Sequence, residues 1–247
     1  ITDGFFGGLR CSPGHDVPIT WIDDLYTYEL GECARPVWRD VDQVIDYSFG
    51  VSISDYEAVY ADGKTKICIA PAYAPVRPQF CDDGNGDRDF IKRILVTSGS
   101  TNERSLLERA ALACLKAFPD VQVDVVVGAL ASFDAPSDDR VVTHRGLTDL
   151  SSLMRDADLC ISAAGTTLYE LSAVGVPTIA VPVVENQIPN AKGFERLGLG
   201  LVVHDDRDLP QKLIAALKWY EADSQRRREY VSRMHDTVDC QGSLRIA

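Results

Sequence analysis

No stretch of the chain comes near the roughly 20 consecutive apolar residues that a membrane-crossing helix requires, so no membrane span is expected. Positive charge is scarce as well. Only 25 Lys and Arg stand against 37 Asp and Glu, a formal charge of −12, which argues against nucleic acid or an anionic membrane surface as the main partner. The seven cysteines (11, 33, 68, 81, 114, 160 and 240) include no Cys-x-x-Cys pair, and no histidine stands near them at zinc-site spacing, so no metal is expected. Their odd number and the lack of a signal-like start point to a reducing, cytoplasmic setting. Cys68, Cys114 and Cys160 sit in apolar runs and read as small core residues. No internal repeat or low-complexity tract is visible. The pairs Asp82-Asp83, Asp138-Asp139 and Asp205-Asp206 read most simply as solvated loops.

What is present is enough apolar content, 45% of 247 residues, for one large core or two ordinary ones. The most informative stretch is 157–191. A short apolar strand, Leu159 to Ser162, ends at Ala163-Ala164-Gly165, where the lack of bulk lets a ligand approach the backbone. Thr166 and Thr167 open a helix, so Gly165 to Thr167 combine free N–H groups with the positive end of a helix dipole and form an anion site suited to a diphosphate. The helix runs about two turns to a C′ glycine, Gly175, and Val176-Pro177 leads into a second strand, Thr178 to Pro182. Glu170, three and four positions after the threonines, shares the anion-site face and can accept from a ribose diol. Glu185-Asn186-Gln187 follow at the carboxyl end of a buried strand, where open α/β sheets bind ligands.

These segments, Ser162 to Leu171, Gly175 to Pro182 and Glu185 to Gln187, resemble the donor-binding half of GT-B glycosyltransferases. They are similar to the N-acetylglucosaminyltransferase family of peptidoglycan synthesis, and more so to the UDP-sugar hydrolases of the pseudaminic acid pathway. The resemblance implies an α/β protein of GT-B type with two Rossmann-like, doubly wound parallel-sheet domains, the N-terminal one incomplete. It implies that Gly165, Thr166 and Thr167 hold the diphosphate, Glu170 the ribose, and Asn186 and Gln187 the sugar. Gly99 and Ser100 match the family's other glycine-rich loop beside the sugar and diphosphate, although ordinary helix capping by Ser100 or Thr101 explains that turn equally well. Leu147 matches the position that reads uracil through its main chain. The implied partners are UDP or a UDP-sugar, with no cofactor. The implied reaction is hydrolysis of a UDP-linked diacetamido-trideoxy sugar; the alternatives are a UDP-sugar-dependent GT-B glycosyltransferase and a non-catalytic UDP-sugar-binding module.

Four short strands are expected before residue 81, ending at Asp3-Gly4 and then at Val17 to Ile22, Gln43 to Asp46 and Lys66 to Ala70. With Ala70-Pro-Ala-Tyr-Ala-Pro-Val-Arg-Pro-Gln-Phe80 they resemble the second part of the hydrolases' N-terminal domain. The first part, with its glycine-rich turn and required histidine, has no counterpart, and His15 lies between the wrong strands to replace it. The general base is therefore unassigned, and a missing segment or second polypeptide is the expected supplier. The expected layout is a partial N-terminal domain (1–80), a linker (81–92), a UDP-sugar-binding domain (93–236) and a tail (237–247) that returns to the N-terminal domain. In the second domain a helix over 103–118 carries Leu106, Leu107, Ala110, Ala113, Cys114 and Ala117 at helical spacing. Asp205 or Asp206 is expected to cap a helix over 208–220, Arg226-Arg227-Arg228 to form a solvated face, and His204 and His235 to be structural residues at the surface.

Overall fold

The computed structural model describes residues 2–3, 18–23, 41–81, 89–99, 104–128, 133 and 135–246. Two parallel sheets form. The first contains β1 (Thr2–Asp3), β2 (Thr20–Ile22), β3 (Gln43–Asp46) and β4 (Lys66–Ile69) in the order β1-β2-β3-β4. A single helical turn, α1 (Ser54–Glu57), lies between β3 and β4 and buries Tyr56 beneath the sheet.

The second sheet contains β5 (Arg93–Thr97), β6 (Gln122–Val127), β7 (Val141–Arg145), β8 (Leu159–Ala163), β9 (Thr178–Val181) and β10 (Leu201–Val202), in the order β10-β9-β8-β5-β6-β7. Every pairing is parallel. Its central strands are continuous apolar runs, because helices cover both faces and leave no side for a polar alternation. α2 (Arg104–Ala117) and α6 (Leu209–Glu221) pack one face. α3 (Ser151–Asp156), α4 (Thr167–Val174), α5 (Gln187–Arg196) and α7 (Ser224–Thr237) supply the core on the other. Strand order reverses between β5 and β8, so the turns that leave those strands flank the crevice at the switch point.

The second face is not closed by its own helices alone. Phe49, Ala74 and Phe80, from the segment before residue 81, join its apolar core. Phe49 stacks on Tyr169 at 4.3 Å between ring centroids and meets Phe194 edge-on at 5.5 Å. Gly193 of α5 lies against the Phe49 backbone, where any Cβ would collide. Asn190 Oδ1 accepts from the Phe49 N–H at 3.4 Å, and Arg196 donates to the Phe49 carbonyl at 3.3 Å.

The tail ends in α8 (Gly242–Ile246), which packs on residues 71–74. Gly242 sits against the Ala74 carbonyl with no room for a side chain, and Arg245 donates to the Ala72 carbonyl at 2.8 Å. Cys240 holds a left-handed backbone, φ 62°, which costs energy for any residue but glycine. It is joined to Cys81 by a disulfide that closes a separation of 159 residues.

For Cys81 and Cys240 that bond corrects the expectation of reduced thiols, which rested on the odd cysteine count and the lack of a signal-like start, neither of which detects a pairing across the whole domain. Cys68, Cys114 and Cys160 are free and buried as expected, and burial pushes the Cys114 and Cys160 thiols well above their usual range. Cys11, Cys33 and His15 lie outside the described residues, as do 82–88 of the expected linker.

Three smaller expectations are also corrected. Arg227 does not belong to a solvated face: it is 4% exposed and donates to the carbonyls of Tyr220 and, at 2.7 Å, Asp89. Its long side chain satisfies main-chain groups that burial would otherwise leave unpaired. Asp208, not Asp205 or Asp206, is the N-cap of α6; Asp206 accepts from the Asp208 N–H at 3.0 Å and pairs with Lys212, while Asp205 pairs with Arg109 at 2.5 Å. His235 is half-buried, with its ring against Gly175, because the left-handed C-cap of α4 presents bare backbone there to α7. Its Nε2 has no hydrogen-bond partner among the described residues.

Candidate functional site

Two turns meet at the switch point. After β5, the chain turns at Ser98-Gly99, with Gly99 at φ 59° and its N–H donating to Thr97 Oγ1 at 3.2 Å. After β8, it turns at Ala164-Gly165 into α4, with Thr166 at the N-cap. The turns touch: a Cβ on Gly99 would lie 3.3 Å from Thr167 Oγ1. Thr166 has no side-chain cap bond, and the Leu168 and Tyr169 N–H groups donate back to the Gly165 and Thr166 carbonyls at 3.2 and 3.1 Å, so the positive dipole end and the amides ahead of Leu168 are what this corner presents.

Glu170 lies one turn along α4. With Thr166, Tyr169, Tyr47 and the loop Ala74-Pro75-Val76-Arg77 it lines a cavity of about 100 Å3. Its carboxylate is already engaged. Arg77 donates to Glu170 Oε1 from Nη2 at 2.8 Å and from Nε at 3.2 Å, and to the Thr148 carbonyl at 3.1 Å. The carboxylate expected to accept from a ribose is thus bound by a guanidinium of the same chain.

Asn190, at the edge of the site, donates to the Ala164 carbonyl at 3.0 Å and accepts from the Tyr169 hydroxyl at 3.1 Å, which fixes the turn to α4. Burial keeps the Tyr169 phenol protonated, with its pKa well above the ordinary value.

The candidates beyond Glu170 are placed unevenly. Gln187 is buried, its Oε1 accepting from the Val183 N–H at 3.0 Å and its Nε2 beside Gly165. It therefore closes the β9–α5 turn and presents only its amide nitrogen towards the Gly165 turn. Asn186 is exposed at the N-cap of α5 without a side-chain bond. Leu147 is 44% exposed after the left-handed Gly146 that ends β7, and Asp149 accepts from the Ser151 N–H at 2.9 Å to start α3. Ser100 lies outside the described residues. Arg77, Tyr47 and Asn190 were missed; a single arginine between Pro75 and Pro78 was the one local signal for Arg77. Among the described residues no cluster of three His, Cys, Asp or Glu could hold a metal ion.

Residues 93–238 match the model of the glycosyltransferase family 28 C-terminal domain. The chain belongs to glycosyltransferase family 28. Family 28 is thereby assigned through the half of the chain that carries both turns. The chain is 30% identical over 168 residues to the spore coat polysaccharide biosynthesis protein SpsG of Bacillus subtilis (strain 168), covering 60% of this chain and 48% of that one. It is 31% identical over 156 residues to a UDP-N-acetylglucosamine--N-acetylmuramyl-(pentapeptide) pyrophosphoryl-undecaprenol N-acetylglucosamine transferase of Exiguobacterium sp. (strain ATCC BAA-1283 / AT1b), covering 59% and 42%. The resemblance to the pseudaminic hydrolases is narrower. A Helicobacter pylori (strain ATCC 700392 / 26695) protein named as both a pseudaminic acid cytidylyltransferase and a UDP-2,4-diacetamido-2,4,6-trideoxy-beta-L-altropyranose hydrolase is 30% identical over 109 residues, 44% of this chain and 20% of that one. The crystal structure of Acinetobacter baumannii MurG superimposes with a TM-score of 0.56 at 17% identity, over 93% of this chain and 66% of that one, which shows the GT-B fold. The chain spans about half the length or less of these curated relatives. No helix among the described residues is long and apolar enough to cross a membrane.

Proposed function

We propose that the chain binds the UDP end of a UDP-sugar at the β5–β8 crevice and serves a glycosyltransferase that uses this donor. The observation that carries the proposal is the contact of the Gly99 turn with Thr167 at the α4 N-terminus, beside the cavity that Thr166 and Glu170 line. Such a corner stabilises a departing diphosphate through fixed dipoles and N–H groups without a metal. Family 28 membership and the similarity to a UDP-N-acetylglucosamine-dependent transferase support a transferase over the hydrolase implied by sequence motifs alone. Hydrolysis stays as the second reading because of the Helicobacter pylori match.

Calorimetric titration with UDP tests the binding step. Glu170→Ala should weaken UDP by roughly 1.5–3 kcal/mol, the value of hydrogen bonds to a charged group; an unchanged isotherm would remove Glu170 from the ribose site. The two reactions separate in an assay of UDP release from UDP-N-acetylglucosamine. Release that requires an acceptor supports transfer, and release in water alone supports hydrolysis.

A further inference from the structure

Resting on the nucleotide-binding assignment above, we propose that Arg77 is a diphosphate ligand held in reserve by Glu170. When a nucleoside diphosphate enters, its guanidinium leaves the carboxylate for the phosphate oxygens and frees Glu170 for the ribose hydroxyls.

Four observations lead there. Arg77 is the one cationic side chain lining the cavity among the described residues, in a chain of net charge −12. A dianionic ligand gains most from such a cation, and the planar guanidinium fits phosphate oxygens two at a time. Second, the Arg77 side chain is 49% exposed and the Glu170 side chain 21%. Ion pairs this wet are weak, so exchange for a phosphate is accessible.

Third, the backbone of Arg77 is held, so that exchange needs only its side chain to leave Glu170 and the Thr148 carbonyl. Pro75 and Pro78 flank it, Ala74 packs on Gly242, Cys81 is tied to Cys240, and the guanidinium rides 4.8 Å over the Phe80 ring. Fourth, the same Glu170 oxygen takes both Arg77 bonds, so a ribose cannot use that oxygen fully until the arginine has moved. Exchange removes the conflict: the carboxylate gains hydroxyl donors and the guanidinium trades the carboxylate for phosphate oxygens.

The test compares UDP with uridine, which carries the ribose and base without phosphate, by titration of wild type, Arg77→Met and Arg77→Lys. Arg77→Met should lower UDP affinity roughly 10- to 100-fold, as for loss of a charge-assisted bond, and leave uridine affinity unchanged or raised, since Glu170 is then unoccupied. Arg77→Lys should recover part of the UDP loss. If Arg77 only latches the loop to α4, Arg77→Met will change UDP and uridine by the same factor, or tighten both, and the assignment is overturned. Wild type that binds UDP beside an equally tight Arg77→Met overturns the arginine's role alone. Wild type that binds neither ligand overturns the nucleotide site together with it.

Discussion

The carboxyl ends of the two parallel sheets use polar groups in opposite ways. At the ends of β2 and β3, Asp23 and Asp46 are 3% and 1% exposed, and the Tyr56 hydroxyl lies 2.8 Å from a carboxylate oxygen of each. One phenolic proton cannot serve two carboxylates, so the contacts are both satisfied when Asp46 carries a proton and donates to the phenol while the phenol donates to Asp23. Burial raises Asp46 from 3.8 to about 6, against the lowering effect of its bonds to Ser48, in keeping with that arrangement. At the ends of β5 and β8, glycines and threonines replace acids, and no side chain caps the α4 N-terminus. A polar cluster that satisfies itself fixes a fold; one that leaves its donors unmatched is ready for a ligand.

The largest expected effect comes from separating the two regions. Phe49 follows β3 by three residues yet sits in the core of the second sheet's helices, stacked on Tyr169. Phe49→Ala should cost about 3–5 kcal/mol in urea unfolding, the usual range for a buried aromatic cut to alanine. A loss under about 1 kcal/mol would mean that the two sheets stand without this joint.

Next is the acid pair. A carboxyl whose folded value lies above its unfolded one stabilises the fold fully below the unfolded value, and that contribution is lost as pH rises through the folded value. For Asp46 the window runs from about pH 4 to about pH 6, and the shift corresponds to at most about 3 kcal/mol. Asp46→Asn keeps an acceptor for the Ser48 N–H and cannot ionise. Its stability relative to wild type should therefore rise between pH 4 and pH 7.5, by up to about 3 kcal/mol, when urea midpoints are compared at both ends. A constant difference across that window would show that Asp46 does not titrate there.

Legibility in the sequence followed the same division. The second sheet's end could be read because its chemistry is local: Ala-Ala-Gly-Thr-Thr, a glutamate three residues on and a C-cap glycine all fall within one βα unit. The strands of the first sheet, and β8 and β9 of the second, were legible from short apolar runs. The contacts that join the halves were not. Arg77 reaches Glu170 across 93 residues, Phe49 reaches Asn190 across 141, and Cys81 reaches Cys240 across 159. No periodicity encodes such pairings, and a lone arginine or an odd cysteine looks the same whether or not its partner exists. Arg227 was misread for a related reason: three successive arginines look like one solvated patch, but a helix turns them towards different surroundings, and the middle one faces carbonyls.

The smallest effects test whether glycine serves conformation at one end of α4 and access at the other. Gly175 adopts φ 79° at the C-cap, and a Cβ there would strike the His235 ring and approach Val231 at 3.0 Å. Gly175→Ala therefore meets both backbone strain and a side chain on α7, and should lower stability by about 1–3 kcal/mol. Gly165 has no such constraint: its Cβ would stand 3.6 Å from Gln187 Nε2, an ordinary contact. Gly165→Ala should unfold within about 0.5 kcal/mol of wild type. Paired urea titrations give the answer directly. If Gly165→Ala proves as costly as Gly175→Ala, the first glycine is needed by the turn itself and its small size is no sign of a ligand. If the two differ as expected, the fold does not demand glycine at 165, a condition that the proposed ligand approach at this turn requires.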